Sequence, residues 1–441
     1  MPILRSTTGA TGSTRRGVLG ALPVCAWGAG AVSLAACGVS APPASPQVSA
    51  LPPATLSYVN WFATGNAQDV LFQHQSGLFK EQHPQLTVEE IKRGPGVTML
   101  EKYLSMAAAG TPPDLAALNP QFVEPLRARG MLADLTRYVK RDAQTFKPDD
   151  FYPATLLRTI RDGKWHAIPL QMGIWFTVYN RTLLQAAGLP APDGSWTWDT
   201  ALQMARTVKD REPGVLGMAF PPYELPVRDN GGEILTTDEQ RCLLGELRAI
   251  EAVQWIGNLR TKHQVVPPPQ ETTGQNAQTL FTSGRYVFHV GDPGFLSNVQ
   301  RAKPVFSWDI AVPPKGKAAH VSTVKGPSLV ISKDSAHQDA AWAWLADYTG
   351  VEMQRYVSLE GKIVSARKSA LEEFVKLDEG FDKRVLLTVA AMARPMPYVA
   401  KFDELDKEID AGLDAVYTGM QAAAIAMPET ARKVNLILRA P

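Results

Sequence analysis

Three cysteines in 441 residues are too few for a disulfide framework or a multi-cysteine zinc site. The seven histidines are scattered, with no pair at metal-ligand spacing. No G-x-S-x-G elbow, P-loop or G-x-G-x-x-G turn occurs, which removes the commonest nucleophile and phosphate-cradling signatures. A surplus of one charge is missing too: 45 Lys+Arg stand against 43 Asp+Glu, too even a balance to hold nucleic acid through a general field. Carboxylate pairs for glycoside hydrolysis are assembled in space and stay open, with Asp229, Glu233 and Asp292 as the acids to inspect. No cofactor and no metal are expected.

What is present suits a globular protein. Apolar residues make up 45% of the chain, enough to bury large cores and to set disorder and fibrous classes aside.

The N-terminus reads as an address. Residues 1–16 hold Arg5, Arg15 and Arg16 and no acid, and an uncharged Gly/Ala-rich stretch follows from Gly17 to Ala36. That is the layout of a secretory signal, and Pro23 with four glycines makes the stretch a poor membrane helix. Its end, Leu34-Ala35-Ala36-Cys37, resembles the lipobox of bacterial lipoproteins, which implies cleavage after residue 36 and acylation of the Cys37 thiol. Thr14–Leu19 (TRRGVL) also resembles a twin-arginine export motif. Residues 37–54 are a Pro/Ser/Ala run that reads as an extended tether. Without residues 1–36 the chain carries 42 basic against 43 acidic residues, so the slight basic tilt belongs to the leader. Cys242 is then the only thiol besides the acylated one, and it reads as a small core residue rather than a nucleophile.

From Thr55 onward, short β-branched or aromatic runs alternate with longer helical ones. Strands are expected at 55–60, 86–91, 115–118, 175–179, 286–290, 308–312 and 328–332. Helices are expected at 69–80, with Leu71/Leu78 and Phe72/Phe79 at seven-residue spacing, and at 97–109, with Val97, Leu100 and Leu104 on one face. Two more are expected at 198–208, capped by Thr197, and at 336–348, with Ala341, Trp344, Leu345 and Tyr348 on one face; the tail beyond Phe381 reads as mostly helical. Strands separated by helices argue for α/β layers with a largely parallel sheet, and this length favours two lobes.

A series of local signatures resembles the extracellular solute-binding proteins of bacterial ABC importers, in particular the sugar-binding branch that includes maltodextrin-binding proteins. They run in order from Phe79–Pro84 (FKEQHP) and Ala107–Asp114 (AAAGTPPD) through Gly130–Leu135, Gly163–Pro169, Val178–Arg181, Ala187–Pro190 and Trp196–Asp199. Asn230–Gly232, Phe281–Arg285 and Trp308–Pro313 continue the series. The resemblance implies a periplasmic-binding-protein-like fold of two α/β lobes joined by three hinge crossings, with ligand held in the cleft between them. The crossings would fall near Gln171–Trp175, Thr323–Pro327 and Gly361–Ser365. Lobe one would be residues 55–172 plus 326–362, and lobe two residues 173–325 plus 363–441. The implied role is a monomeric, non-enzymatic receptor that captures a carbohydrate and delivers it to ABC permease subunits driven by a cytosolic ATPase. It would be exported and lipid-anchored to the outer face of the cytoplasmic membrane. A sensor lipoprotein of the same fold is the alternative, and a glycoside-acting enzyme a more distant one.

A sugar offers apolar C–H faces and a rim of hydroxyls, so its receptor needs flat aromatic walls and side chains that both donate and accept. Residues of those kinds, placed where strands should end at a cleft, are Trp61, Asn119, Gln171, Trp175, Tyr223, Asn230, Asp292 and Phe295, with Gln121 beside Asn119. Lys325 sits at the second crossing, and Arg394 lies in a C-terminal segment that contributes to the pocket in the family; together they leave an anionic ligand such as a uronate or glycerophosphodiester open. Leu118 stands where a maltodextrin receptor would offer an aromatic ring.

Overall fold

The computed structural model describes residues 51–60, 67–92 and 97–440. The leader, Cys37, most of the tether and Trp61 lie outside the described residues.

The first sheet begins with β1 (Ala54–Val59), flanked in parallel by β2 (Leu86–Ile91) and β3 (Leu115–Leu118). β3 reads LAAL and is buried throughout, as a strand covered on both faces must be. Two strands from far along the chain complete the order β2-β1-β3-β13-β6: β13 (Ser328–Ile331) pairs antiparallel with β3, and β6 (Ile168–Pro169) antiparallel with β13. A short hairpin, β4 (Ile160–Arg161) and β5 (Lys164–Trp165), stands apart. In the second sheet β8 (Phe176–Asn180) lies antiparallel between β10 (Tyr286–Gly291) and β11 (Trp308–Ala311), with β9 (Gly217–Met218) parallel to β10. Both sheets are thus mixed, where a largely parallel one was expected. Alternating strand and helix signals report layering, but only a local strand–helix–strand crossover forces parallel pairing, and β13 and β11 arrive by other routes.

A third sheet joins the two. β12 (Ser322–Lys325) runs between β7 (Gly173–Ile174), antiparallel, and β14 (Ala393–Pro395), parallel. The three segments expected as crossings are thereby side by side: Lys325 pairs with Gly173, Gln171 bridges to Ser365, and the Met172 N–H donates to the Val364 carbonyl at 2.9 Å. Gly326 has φ +128°, and a Cβ there would lie 2.3 Å from the Gln171 carbonyl oxygen, so only glycine fits this close approach.

The lobe boundary expected at 362/363 departs from the hydrogen bonding. Ala366 accepts from the Tyr152 N–H, Arg367 bridges to Phe151, and Ser369 Oγ donates to Asp150 at 2.7 Å. The helix Lys368–Phe374 therefore belongs with residues 146–152, and the chain reaches the second sheet only at Phe381, its ring tilted against Trp308 at 4.9 Å, and Asp382, whose N–H donates to Asp309. The anchor is Arg367, fully buried between the rings of Phe146 and Phe151 and donating to the carbonyls of Thr349, Lys147 and Phe146. Apolar patterning carries no signal for a buried arginine.

The helices follow their sequence signals with local shifts of face. In Ala67–Gln82, Leu71, Phe72 and Phe79 are buried while Leu78 is exposed. Met99–Ala108 is capped by a reciprocal Thr98–Glu101 box and buries Met99 and Tyr103, leaving Leu100 and Leu104 half-buried. Thr197 caps Trp198–Arg211 as expected, and Ala341, Trp344, Leu345 and Tyr348 are all buried. A separate apolar core lies among the helices Leu247–Thr261, Phe402–Tyr417 and Ala423–Arg439, and Cys242 sits in it.

Candidate ligand-binding cleft

A cleft of about 850 Å³ opens along the joined segments. Gln171–Gly173, Lys325–Pro327 and Ile363–Val364 form its floor. Asn119 and Gln121, just past the end of β3, contribute one wall. The other holds Trp175, Phe220–Glu224, His289, Asp292, Tyr398, Phe402, Asp406 and Asp410. The site thus gathers loops at strand ends, where side chains converge without having to fill a core.

Trp175 follows β7 directly. Its indole N–H donates to Glu224 Oε1 at 2.8 Å, which fixes the ring plane. The Lys325 ammonium, projected from the end of β12, lies 4.7 Å from the centre of that ring and 3.6 Å from Glu224 Oε1. Glu224 is buried, so indole and ammonium together satisfy a carboxylate that would otherwise be costly to desolvate. Asn119 occupies the N-cap position of the helix Pro120–Ala128 without capping it, and among the described residues its amide and that of Gln171 form no side-chain hydrogen bond. The Tyr223 hydroxyl and His289 Nδ1 are shielded from solvent and have no hydrogen-bond partner among the described residues. Burial pushes His289 down to about 4, which leaves a neutral imidazole at neutral pH. Asp292 accepts from the Phe295 N–H and so caps the helix Pro293–Ala302 while also lining the cleft.

Three expected site residues stand elsewhere. Asn230 ends the helix Glu224–Asp229, whose opposite end faces the cleft, and its amide donates to the Arg248 carbonyl at 2.8 Å and to Glu251 at 3.0 Å. Phe295 is in the first turn of its helix, turned inward onto His289 at 4.0 Å and edge-on to Phe281, so it fills space behind the cleft wall. Arg394 points to solvent from β14, while Met396 and Tyr398, further along the same segment, reach the cleft. Arg394 does not line the cleft, and Lys325 is paired with Glu224.

The acids singled out for hydrolysis are also dispersed, and only Asp292 lines the cleft. Glu233 takes Arg228 at 2.8 Å. Asp229 is fully buried, accepting from the Trp198 indole and the Val321 N–H at 2.9 Å each, and burial pushes its carboxyl up to about 7. Among the described residues no group of three or more His, Cys, Asp or Glu is arranged to hold a metal. Burial raises the Cys242 thiol to about 11, far from a reactive thiolate.

The sequence reading passed over Phe220, Glu224, Tyr398, Phe402, Asp406 and Asp410. For the last three a signal exists: they recur every fourth residue on one face of the helix Phe402–Tyr417, a face too acidic to be core and too aromatic to be plain surface. Phe220 is braced from behind, stacked on Tyr417 at 4.5 Å and under the Arg260 guanidinium at 4.4 Å.

The model of the bacterial extracellular solute-binding protein family matches residues 64–355. Over 435 aligned residues the chain is 23% identical to a mannitol-binding protein of Pseudomonas aeruginosa, covering 85% of this chain and 92% of that one. Its fold is similar to that of an ABC substrate-binding protein of Listeria monocytogenes solved with cycloalternan, with a TM-score of 0.78, 20% identity, and 87% and 98% of the two chains covered. A sugar-binding protein of the phytopathogen Xanthomonas citri superposes with a TM-score of 0.77 at 20% identity, covering 87% of this chain and 97% of that one.

Proposed function

The chain belongs to the bacterial extracellular solute-binding protein family, and from that premise we propose that it captures a sugar or sugar-like polyol in the cleft and hands it to the permease of an ABC importer. The observation that carries the reading is Trp175: a flat indole locked in plane by Glu224 beside the joined segments, in a cleft where the Asn119 and Gln171 amides have no side-chain partner among the described residues. A ring face stacks on the indole, and hydroxyls take up the amides. Two relatives of the chain are described as binding mannitol and cycloalternan, both polyhydroxylated and uncharged.

Residues 55–172 with 326–374, and the remainder from 173 onward, act as two lobes that close over the solute by flexing at 171–175, 323–327 and 375–381. Ligand bridges the lobes and biases the equilibrium by its greater affinity for the closed form. The protein works as a monomer held to the outer face of the cytoplasmic membrane by acylated Cys37, with the tether giving the body reach toward permease subunits that a cytosolic ATPase drives.

Calorimetry across mono- and oligosaccharides, polyols, amino acids and glycerophosphodiesters tests this. A saturable sugar or polyol signal is expected, weakened about 10- to 100-fold by Trp175→Ala. Binding confined to the other classes, or a Trp175→Ala protein with unchanged sugar affinity, refutes the assignment.

A further inference from the structure

We infer that the sugar taken by this cleft carries a protonated amine, as an amino sugar or a short chain of them. The inference rests on the sugar-capture reading and narrows it. Four carboxylates line the cleft, on Glu224, Asp292, Asp406 and Asp410, against one lysine or arginine among its described lining residues, Lys325. Two of the four are committed, Glu224 to Trp175 and Lys325, and Asp292 to the helix it caps. Asp406 and Asp410 are a turn apart on the helix Phe402–Tyr417 and form no ion pair or hydrogen bond with the described residues.

That pair is out of balance. Burial, then Asp410, with Asp403 and Glu224 adding to them and Lys325 opposing, pushes the Asp406 carboxyl up to about 6. Asp406 is half-buried and Asp410 is exposed beside it, and an ammonium placed against the two carboxylates relieves their mutual repulsion. The same wall carries the rings of Phe220, Tyr223, Tyr398 and Phe402, which back the two aspartates with apolar surface. Lys325 shows how an ammonium settles in this cleft, above an indole and beside a carboxylate. A sugar acid or sugar phosphate would meet Asp406 and Asp410 as repulsion.

The test uses neutral and amino sugars matched in shape: glucose and glucosamine, galactose and galactosamine, and cellobiose and its doubly amino counterpart, the glucosamine disaccharide. Affinities are measured by calorimetry on the full chain at pH 7. In at least one pair the amine is expected to bind about tenfold more tightly, and the doubly substituted Asp406→Asn/Asp410→Asn protein to bring the ratio within that pair to about one. Equal or tighter binding of the neutral member in every pair overturns the amine while leaving sugar capture intact. An amine preference that survives the double substitution overturns the role of the two aspartates. Binding of no pair, with saturable binding of a non-sugar, removes the sugar reading and this inference together.

Discussion

Arg367 has no exposed surface, and its guanidinium answers three backbone carbonyls that would otherwise be stranded in the core. Burial lowers it to about 10, still charged at neutral pH. Arg367→Ala removes donor and charge at once and leaves those acceptors unsatisfied, so a loss of about 3–5 kcal/mol is expected in urea unfolding. Asp229 makes the complementary case. Its carboxyl titrates near 7 folded and near 3.8 unfolded, so the native state holds the extra proton between those values, and its contribution to stability fades as pH rises through about 7. Asp229→Asn is expected to flatten the melting-temperature profile between about pH 4 and 7; an unchanged slope would place the titration elsewhere. Residues of this kind were the least legible in the sequence. Asn119, Gln171, Trp175, Tyr223, Asp292 and Lys325 were found because chemistry and strand-end position coincided, and all six line the cleft. Asn230 and Phe295 were chosen on residue type and position and Arg394 on the family resemblance, and a helix end, an inward first turn and an outward strand position take them away.

Elements were easier to read than their directions. Every strand expected from apolar runs forms within a residue or so of its expected bounds, because short β-branched stretches between turn signals leave few other solutions. Parallel or antiparallel pairing depends on the route of the connection, and local pattern does not encode it. The joined segments sit between these cases: small residues marked them, but which atoms touch came only from the fold. Gly326 is the sharpest instance. Gly326→Ala would bring a methyl group against the Gln171 carbonyl at a positive φ, and a cost of more than about 2 kcal/mol is expected in thermal or urea denaturation. A near-neutral effect would mean that this strand crossing relaxes freely.

At the scale of the molecule, a third sheet joins the other two, and the proposed lobe closure would act through it. Small-angle scattering should show the radius of gyration contract when the preferred sugar saturates the protein and stay constant with a sugar that does not bind; equal curves in both states would rule out lobe closure. Family and layering were legible because many weak motifs keep their order along the chain. The packing of residues 366–374 against 146–152 was not, since it depends on Arg367 and its carbonyls.

The pairing of β3 with β13 has a further consequence. Leu115 meets Ile331, so during synthesis the inner edge of β3 emerges long before the strand that covers it. Until then a fully apolar LAAL edge is open to whatever strand arrives first, its own neighbours or another chain's. The first sheet is therefore completed only when β13, late in the chain, has been made.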